Sequence, residues 1–399
     1  MRRSYLVFGR PGFGPEERAE VLDTIDSGWV GTGPKTHRFE REFAAYLGAR
    51  HCVALNSGTA ALHLAVLAAG IGPGDEVIVP AMTFCATANA VVHAGARPVF
   101  ADVDPDTMNI DCADVRRRLT RRTKALLPVH LHGRPCDMDG LRALADERGL
   151  LVIADAAHAI EAVSKGQRAG RLADLTCFSF YVTKNLTTVE GGMLAASRRD
   201  WADRAKILAS HGMSEDAWAR FSDRGYKHYA VVQPGFKYRM TDLQASFGLH
   251  QLRRLEANLR LRERLWGLYD RGLAGLPLRL PTPPQPGARH ARHIYAVRLT
   301  PEARLSRDEL MAALHRQRIG TGVHYTALHL QPYYRRACGC KPGDLPQAEA
   351  IGETTLSLPL SAALSERDVR DVIRAVRLCL LGPQRQQGPR RLRPRRRRA

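Results

Sequence analysis

Between residues 50 and 195 the chain alternates short, unbroken apolar runs with longer stretches of helical period. "HCVALN" precedes "SGTAALHLAVLAAG", and "DEVIVP" precedes "TFCATANAVVHAG". "ARPVFADVD" follows, then "KALLPVHLHG" with "DMDGLRALADERG", then "LLVIADAAHA" and "LTCFSFY". Apolar runs without interposed polar positions belong to strands buried on both faces. With helices between them, they predict βα units around a mainly parallel sheet. Residues 196–225 read as helical and charged. Met240 to Leu273 reads as one long amphipathic helix, with Leu243, Phe247, Leu252, Leu255, Leu259 and Leu265 at helical spacing. A Pro-rich loop, Leu280 to Ala288, leads to a strand at "RHIYAVRL", a helix at "SRDELMAALHRQRIG" ended by Gly320, and a closing helix at "SERDVRDVIRAVRLCL". The expected fold class is α/β: a mainly parallel central sheet in a large domain, plus a smaller α+β C-terminal domain. No internal repeat interrupts it.

Composition narrows the class. The chain has 399 residues, 44% of them hydrophobic, enough for two cored domains. No run approaches the roughly 18 apolar residues of a membrane span. The first apolar run, of about five residues, is too short for a signal segment, so the expected location is cytoplasmic. The eight cysteines are scattered, as expected of reduced thiols. No metal site is expected: "CGC" at 338–340 lacks zinc spacing, and neither "HLH" at 130–132 nor the pair His324 and His329 has a companion ligand pattern. Of the net charge of +20, eight arginines and no acid lie from Pro383 onward, leaving about +12 on the rest. That tail reads as a disordered, solvated extension, with weak nucleic-acid or anionic-lipid contact as its other reading. A modestly basic body suits an anionic substrate.

Four groups fall at the carboxyl ends of predicted strands, where open α/β sheets bind ligands. Lys184 follows "CFSFY" in a loop without other positive charge. A desolvated lysine loses part of its proton affinity and becomes a nucleophile able to form a Schiff base with a carbonyl. Asp155 ends "LLVIAD", either as a helix N-cap or as the partner of a buried cationic heterocycle. His158 is three residues on. Ser57, Gly58 and Thr59 turn from strand to helix, offering hydroxyls and helix N–H groups to an anion. Phe84 is a core side chain or a stacking platform. An aldehyde, a protonated ring nitrogen, a phosphate and a flat ring together describe pyridoxal 5'-phosphate.

These segments resemble the DegT-type (DegT/DnrJ/EryC/StrS) nucleotide-sugar aminotransferases. The match runs from about Phe8 to Leu381, through "SGWVGTGPKTHRFEREFAAYLGARHCVALNSGTAALHLA", "VIADAAHAIEA", "DLTCFSFYVTKNLTTVEGGM", "GFKYRMTDLQASFGLHQLRRLE" and "GTGVHYTALHLQPYY". The resemblance implies a fold type I pyridoxal-phosphate transferase, aspartate aminotransferase-like. It implies an N-terminal arm and substrate loop over 1–35, a large cofactor domain over 36–250, a small domain over 251–382 and the tail over 383–399. It makes Lys184 the Schiff-base lysine and proton shuttle, sets Asp155 against the ring nitrogen and His158 against the ring hydroxyl, and stacks Phe84 on the ring. Ser179, Ser57, Gly58 and Thr59 would hold the phosphate. Lys237, in "GFKYRMTD", would reach the neighbouring subunit's site in a homodimer with shared active sites. Thr32, Asn185, His324, Tyr325 and His329 would lie near the sugar. Three positions depart from the family's pattern: Glu161 and Val189 stand where glycine is expected, and Ala154 replaces an acid before Asp155.

The implied activity moves an amino group from glutamate to a keto nucleotide sugar. "KNLTTVEGG" and "GFKYRMTD" look most like members acting on 4-keto sugars, giving 4-amino sugars for lipid A or surface polysaccharide. The alternatives are a 3-keto sugar or aminocyclitol aminotransferase, a lyase on the same fold, and a non-catalytic nucleic-acid-binding or regulatory protein using the basic tail.

Overall fold

The computed structural model describes residues 2–214 and 229–382. The strands are β1 His51–Leu55, β2 Glu76–Pro80, β3 Arg97–Ala101, β4 Thr123–Leu126, β5 Leu151–Asp155, β6 Val163–Ser164, β7 Gln167–Arg168, β8 Leu175–Ser179, β9 Gly192–Ala196, β10 Leu278–Arg279, β11 Ala288–Arg289, β12 Tyr295–Leu299 and β13 Thr355–Leu358. The helices are α1 Pro15–Asp26, α2 Pro34–Leu47, α3 Gly58–Ala68, α4 Cys85–His93, α5 Cys112–Arg118, α6 Met138–Arg148, α7 Arg199–Ala209, α8 Asp242–Arg253, α9 Leu255–Leu273, α10 Arg307–Arg316, α11 Pro332–Cys338, α12 Pro346–Thr354 and α13 Glu366–Leu381.

The central sheet has the order β1-β9-β8-β5-β4-β2-β3. Pairings from β8 through β5, β4 and β2 to β3 are parallel, and β9 runs antiparallel to both β1 and β8. Side chains alternate between the two faces of each strand. Ile153, Leu175 and Cys177 pack with α3 and α4 on one face. Val152 and Ala154 of β5 face a second core with α6, and Phe178 of β8 packs with Phe39 and Phe43 of α2. Burial on both faces is why these strands lack polar positions. The alternation also has a chemical consequence: Asp155 and Ser179 share parity with Ile153 and Cys177, so both fall on the α3–α4 face at a strand end.

A second sheet, β10-β12-β13, carries its own core with α9, α10 and α13. A third small sheet joins β11, β6 and β7. The single helix expected over Met240–Leu273 is two. Arg254 leaves helical geometry (φ −100°, ψ 6°), and its guanidinium reaches the Gly12 carbonyl at 2.9 Å and pairs with buried Glu17. Helix α10 stops at Arg316, before Gly320. The expected arm over 1–35 contains a helix, α1, that packs on α8. The charged stretch at 196–225 supplies α7, while its residues 215–228 and the tail 383–399 lie outside the described residues. All eight cysteines are free thiols. Among the described residues, no helix is long and apolar enough to cross a membrane and no cluster of metal-ligating side chains forms.

Candidate active site

The Ser57 turn is built by close approach. Ser57 caps α3, its Oγ accepting from the Ala60 N–H at 3.1 Å. The N–H groups of Gly58 and Thr59 in the first turn have no intrahelical acceptor. Gly192 pairs with Leu55 on one side and Ser179 on the other, directly beneath this turn. A Cβ on Gly192 would stand 2.3 Å from the Ser57 carbonyl oxygen, and one on Gly58 would stand 2.8 Å from the Ser179 Cβ. Two glycines thus let a helix N-terminus and the Ser179 hydroxyl converge on one anion-sized cradle. Thr59 is exposed at its rim.

Asp155 is buried at the end of β5. Its Oδ2 accepts from Thr87 Oγ at 2.8 Å and its Oδ1 from the Ala157 N–H at 3.0 Å. Burial raises its pKa; the two donors and nearby Lys184 oppose that rise. Lys184 is half-buried, and desolvation pulls its ammonium down to about 8 against the attraction of Asp155. The two groups therefore lie within electrostatic reach of each other. Lys184 and Asn185 line a cavity of about 260 Å³ with Arg10, Thr187, Gln251 and Ser361. Phe84, N-cap of α4, keeps its ring 56% exposed with its centroid 6.0 Å from that of Tyr325.

His158 joins the same cluster. Its Nδ1 accepts from the His132 N–H at 3.3 Å, which leaves the neutral ring's proton on Nε2, 3.3 Å from the Tyr325 hydroxyl. The His293 ring is 4.6 Å from that of His158. His132 donates from Nε2 to the His324 carbonyl at 2.8 Å. Burial holds all four imidazoles neutral, His132 at about 4, His324 at about 3, and His158 and His293 well below their ordinary value. The charge of Lys184 lowers the last three further.

Other expected residues sit differently. Thr32 donates to the Met240 carbonyl at 2.6 Å, tying its loop to the start of α8. The Lys237 carbonyl accepts from Asn56 Nδ2 at 3.2 Å, next to the chain's own Ser57 turn. His324 faces Ser357 through Nδ1 at 2.9 Å and stacks on Phe8. His329, expected near the sugar, is instead fully buried against Glu349 at 3.0 Å and so has no face open to a substrate. Sequence reasoning missed Thr87, His132 and His293. "TFCAT" and "HLHG" were in view, but nothing local ties them to Asp155 or His158.

The model of the DegT/DnrJ/EryC1/StrS aminotransferase family matches residues 12–377. The chain belongs to that family. The family assignment agrees with similarity to the Bacillus subtilis (strain 168) "Spore coat polysaccharide biosynthesis protein SpsC", 47% identical over 94% of this chain and 97% of that protein. Among solved structures, the putative sugar aminotransferase Spr1654 from Streptococcus pneumoniae in its PMP-form superposes with a TM-score of 0.89 at 34% identity, over 94% of this chain and 99% of that one. DesI, solved in the presence of its TDP-sugar product, gives a TM-score of 0.84 at 33% identity, over 95% and 94%. Like other members of the DegT family, this is a pyridoxal-phosphate-dependent sugar aminotransferase of fold type I. The residues present fit that cofactor: an anion cradle that a Cβ would fill, an exposed phenyl ring, a buried carboxylate with two donors, and an amine whose pKa desolvation draws down to about 8.

Proposed function

We propose that this chain is a cytoplasmic homodimer with shared active sites that transfers the amino group of glutamate to the 4-keto position of a nucleotide-linked sugar. We further propose a division into an arm over 1–35, a cofactor domain over 36–250 and a small domain over 251–382, supported by two sheets with separate cores. The observation that carries the reading is a lysine of depressed proton affinity beside a buried aspartate and an anion cradle at adjacent strand ends.

Pyridoxal phosphate, when bound, supplies the electron sink for the bond broken at the substrate carbon. The protein groups do the rest. Ser57, Gly58, Thr59 and Ser179 would hold the phosphate with hydroxyls and first-turn N–H groups. Asp155, fixed by Thr87 and Ala157, would offer negative charge to the ring nitrogen. His158, with its Nε2–H edge beside Tyr325, would face the ring hydroxyl, and Phe84 would offer a stacking face. Lys184 would hold the cofactor at Nζ. With its pKa drawn down to about 8, the Lys184 amine is partly unprotonated near neutral pH and is suited to accept and give back a proton at Nζ. Lys237 would extend toward the partner's site, while Thr32, Asn185, His324 and Tyr325 would bound the sugar.

Two similar proteins support a nucleotide sugar made for surface polysaccharide: one is named for spore coat polysaccharide biosynthesis and another was solved with a TDP-sugar product. The test is incubation of the loaded enzyme and glutamate with panels of 3-keto and 4-keto nucleotide sugars. Mass spectrometry reads amine gain and NMR reads its position. Amination of 4-keto substrates is expected. Amination confined to 3-keto substrates would move the assignment to the 3-position, and none with either panel would sink it.

A further inference from the structure

Glu161, which stands where the family's pattern expects glycine, is fully buried. Its Oε1 pairs with Arg262 of α9, itself almost fully buried. Arg262 is held in turn by the Arg292 carbonyl at 3.1 Å and the Ala291 carbonyl at 3.2 Å. Glu161 Oε2 accepts from Asn185 Nδ2 at 2.9 Å, and the same amide nitrogen donates to the Ala291 carbonyl at 3.0 Å. Both partners of Nδ2 are acceptors, so the Asn185 amide has one allowed orientation. Its Oδ1 then faces His293 Nδ1 at 2.9 Å. An amide oxygen only accepts, so His293 carries its proton on Nδ1 and leaves Nε2 as a lone pair.

Resting on the aminotransferase reading above, we propose that Glu161 is a positioning residue. Through Asn185 it fixes His293 as the Nδ1–H tautomer, so that the bare Nε2 accepts a hydrogen bond from a sugar hydroxyl bound beside Lys184. The position of His293 supports a ligand role. Its ring packs on His158 at 4.6 Å, and Asn185 adjoins Lys184 on the cavity wall. The two neighbouring rings then carry opposite polarity at Nε2, a lone pair on His293 and an N–H on His158 that faces Tyr325, so a ligand group at His293 must be a donor. A glycine at 161 would leave Arg262 without its counter-ion and the Asn185 amide with one acceptor, the Ala291 carbonyl, in place of two, so the polarity of the His293 edge would be held less firmly. The charged and titratable groups facing His293 are Lys184, Arg262, His132, His158 and His324.

The experiment is 15N NMR of histidine-labelled, cofactor-free protein, with the His293 signal assigned by its loss in His293→Gln. Wild type is expected to show Nδ1 protonated. Glu161→Gln keeps the shape but replaces one of the two acceptors of the Asn185 amide by a group that can also donate, so a fraction of His293 should shift its proton to Nε2. Asn185→Ala leaves the Glu161–Arg262 pair intact, guarding against a folding defect, and should give a mixture of tautomers. In steady-state assays both variants should raise KM for the keto sugar, by analogy with the roughly 10- to 100-fold losses seen when a group that orients a metal-ligating histidine is removed. For Glu161→Gln, whose side chain lies outside the cavity lining, the half-reaction with glutamate should stay near wild type. An Nε2–H tautomer in wild type, or an unchanged tautomer in both folded variants, overturns the proposal. Failure of wild type to take an amino group from glutamate overturns the aminotransferase reading instead, and the NMR result stands apart from it.

Discussion

Replacing Lys184 by methionine removes a cation that the fold holds out of water. In the folded chain its pKa falls from the ordinary 10.5 to about 8, with desolvation outweighing the attraction of Asp155. At about 1.4 kcal/mol per tenfold, that fall corresponds to roughly 3 kcal/mol of strain on the charged form. Between pH 8 and 10.5 the unfolded chain binds the proton that the folded chain has released, so wild-type stability rises with pH across that window. Below pH 8 the whole cost is present; above 10.5 it is gone. Cofactor-free Lys184→Met should therefore be more stable than wild type at pH 7 and equal to it near pH 11. With an unfolding entropy of roughly 2.1 cal/mol/K per residue, the gain at pH 7 is about 4 °C in Tm. Calorimetry of both proteins across pH 7 to 11 measures the difference, in which titrations common to both cancel. The variant should also lose amine transfer entirely. A variant no more stable than wild type at pH 7, or a gain that persists unchanged to pH 11, would refute a desolvated Lys184.

Three further outcomes follow from the same geometry. Thr87→Val keeps the volume but removes the donor to Asp155 Oδ2; a lost hydrogen bond to a buried charge of about 1.5 kcal/mol predicts roughly tenfold weaker pyridoxal phosphate binding. Fluorescence titration measures it, and an unchanged Kd would remove Asp155 from the cofactor site. Gly192→Ala sets a Cβ 2.3 Å from the Ser57 carbonyl and 2.6 Å from the Gly58 N, backbone that cannot swing aside, so cofactor retention and thermal stability should fall together; a variant with wild-type absorbance and Tm contradicts the cradle. Val189 holds φ at 70° with its side chain 45% exposed, a conformation strained for a β-branched residue and tolerated by asparagine. Val189→Asn should gain about 1 kcal/mol in urea unfolding, and a loss would mean that the valine makes contacts of its own.

The sequence alone determined the layers. Unbroken apolar runs in β5 and β8 required cover on both faces, and their carboxyl ends marked Asp155 and Lys184 as candidates; that Asp155 and Ser179 share one side of the sheet came only with the register of β5 on β8. It also carried the turn chemistry at Ser57, where a capping hydroxyl and a glycine are local features. What it did not carry is everything set by contact between distant segments. The break at Arg254 depends on Glu17 and the Gly12 carbonyl, more than 200 residues away. The hydrogen bond of Asp155 to Thr87 spans 68 positions, the Glu161–Arg262 pair 101, and Asn185 with His293 108. Histidine 329 looked like a site residue beside His324, yet its ring went to Glu349 in the core. Periodicity records which face of an element is wet. It carries no information about which polar groups meet inside, because a buried hydrogen bond needs only a donor and an acceptor brought together in space, and the chain between them leaves no mark on either.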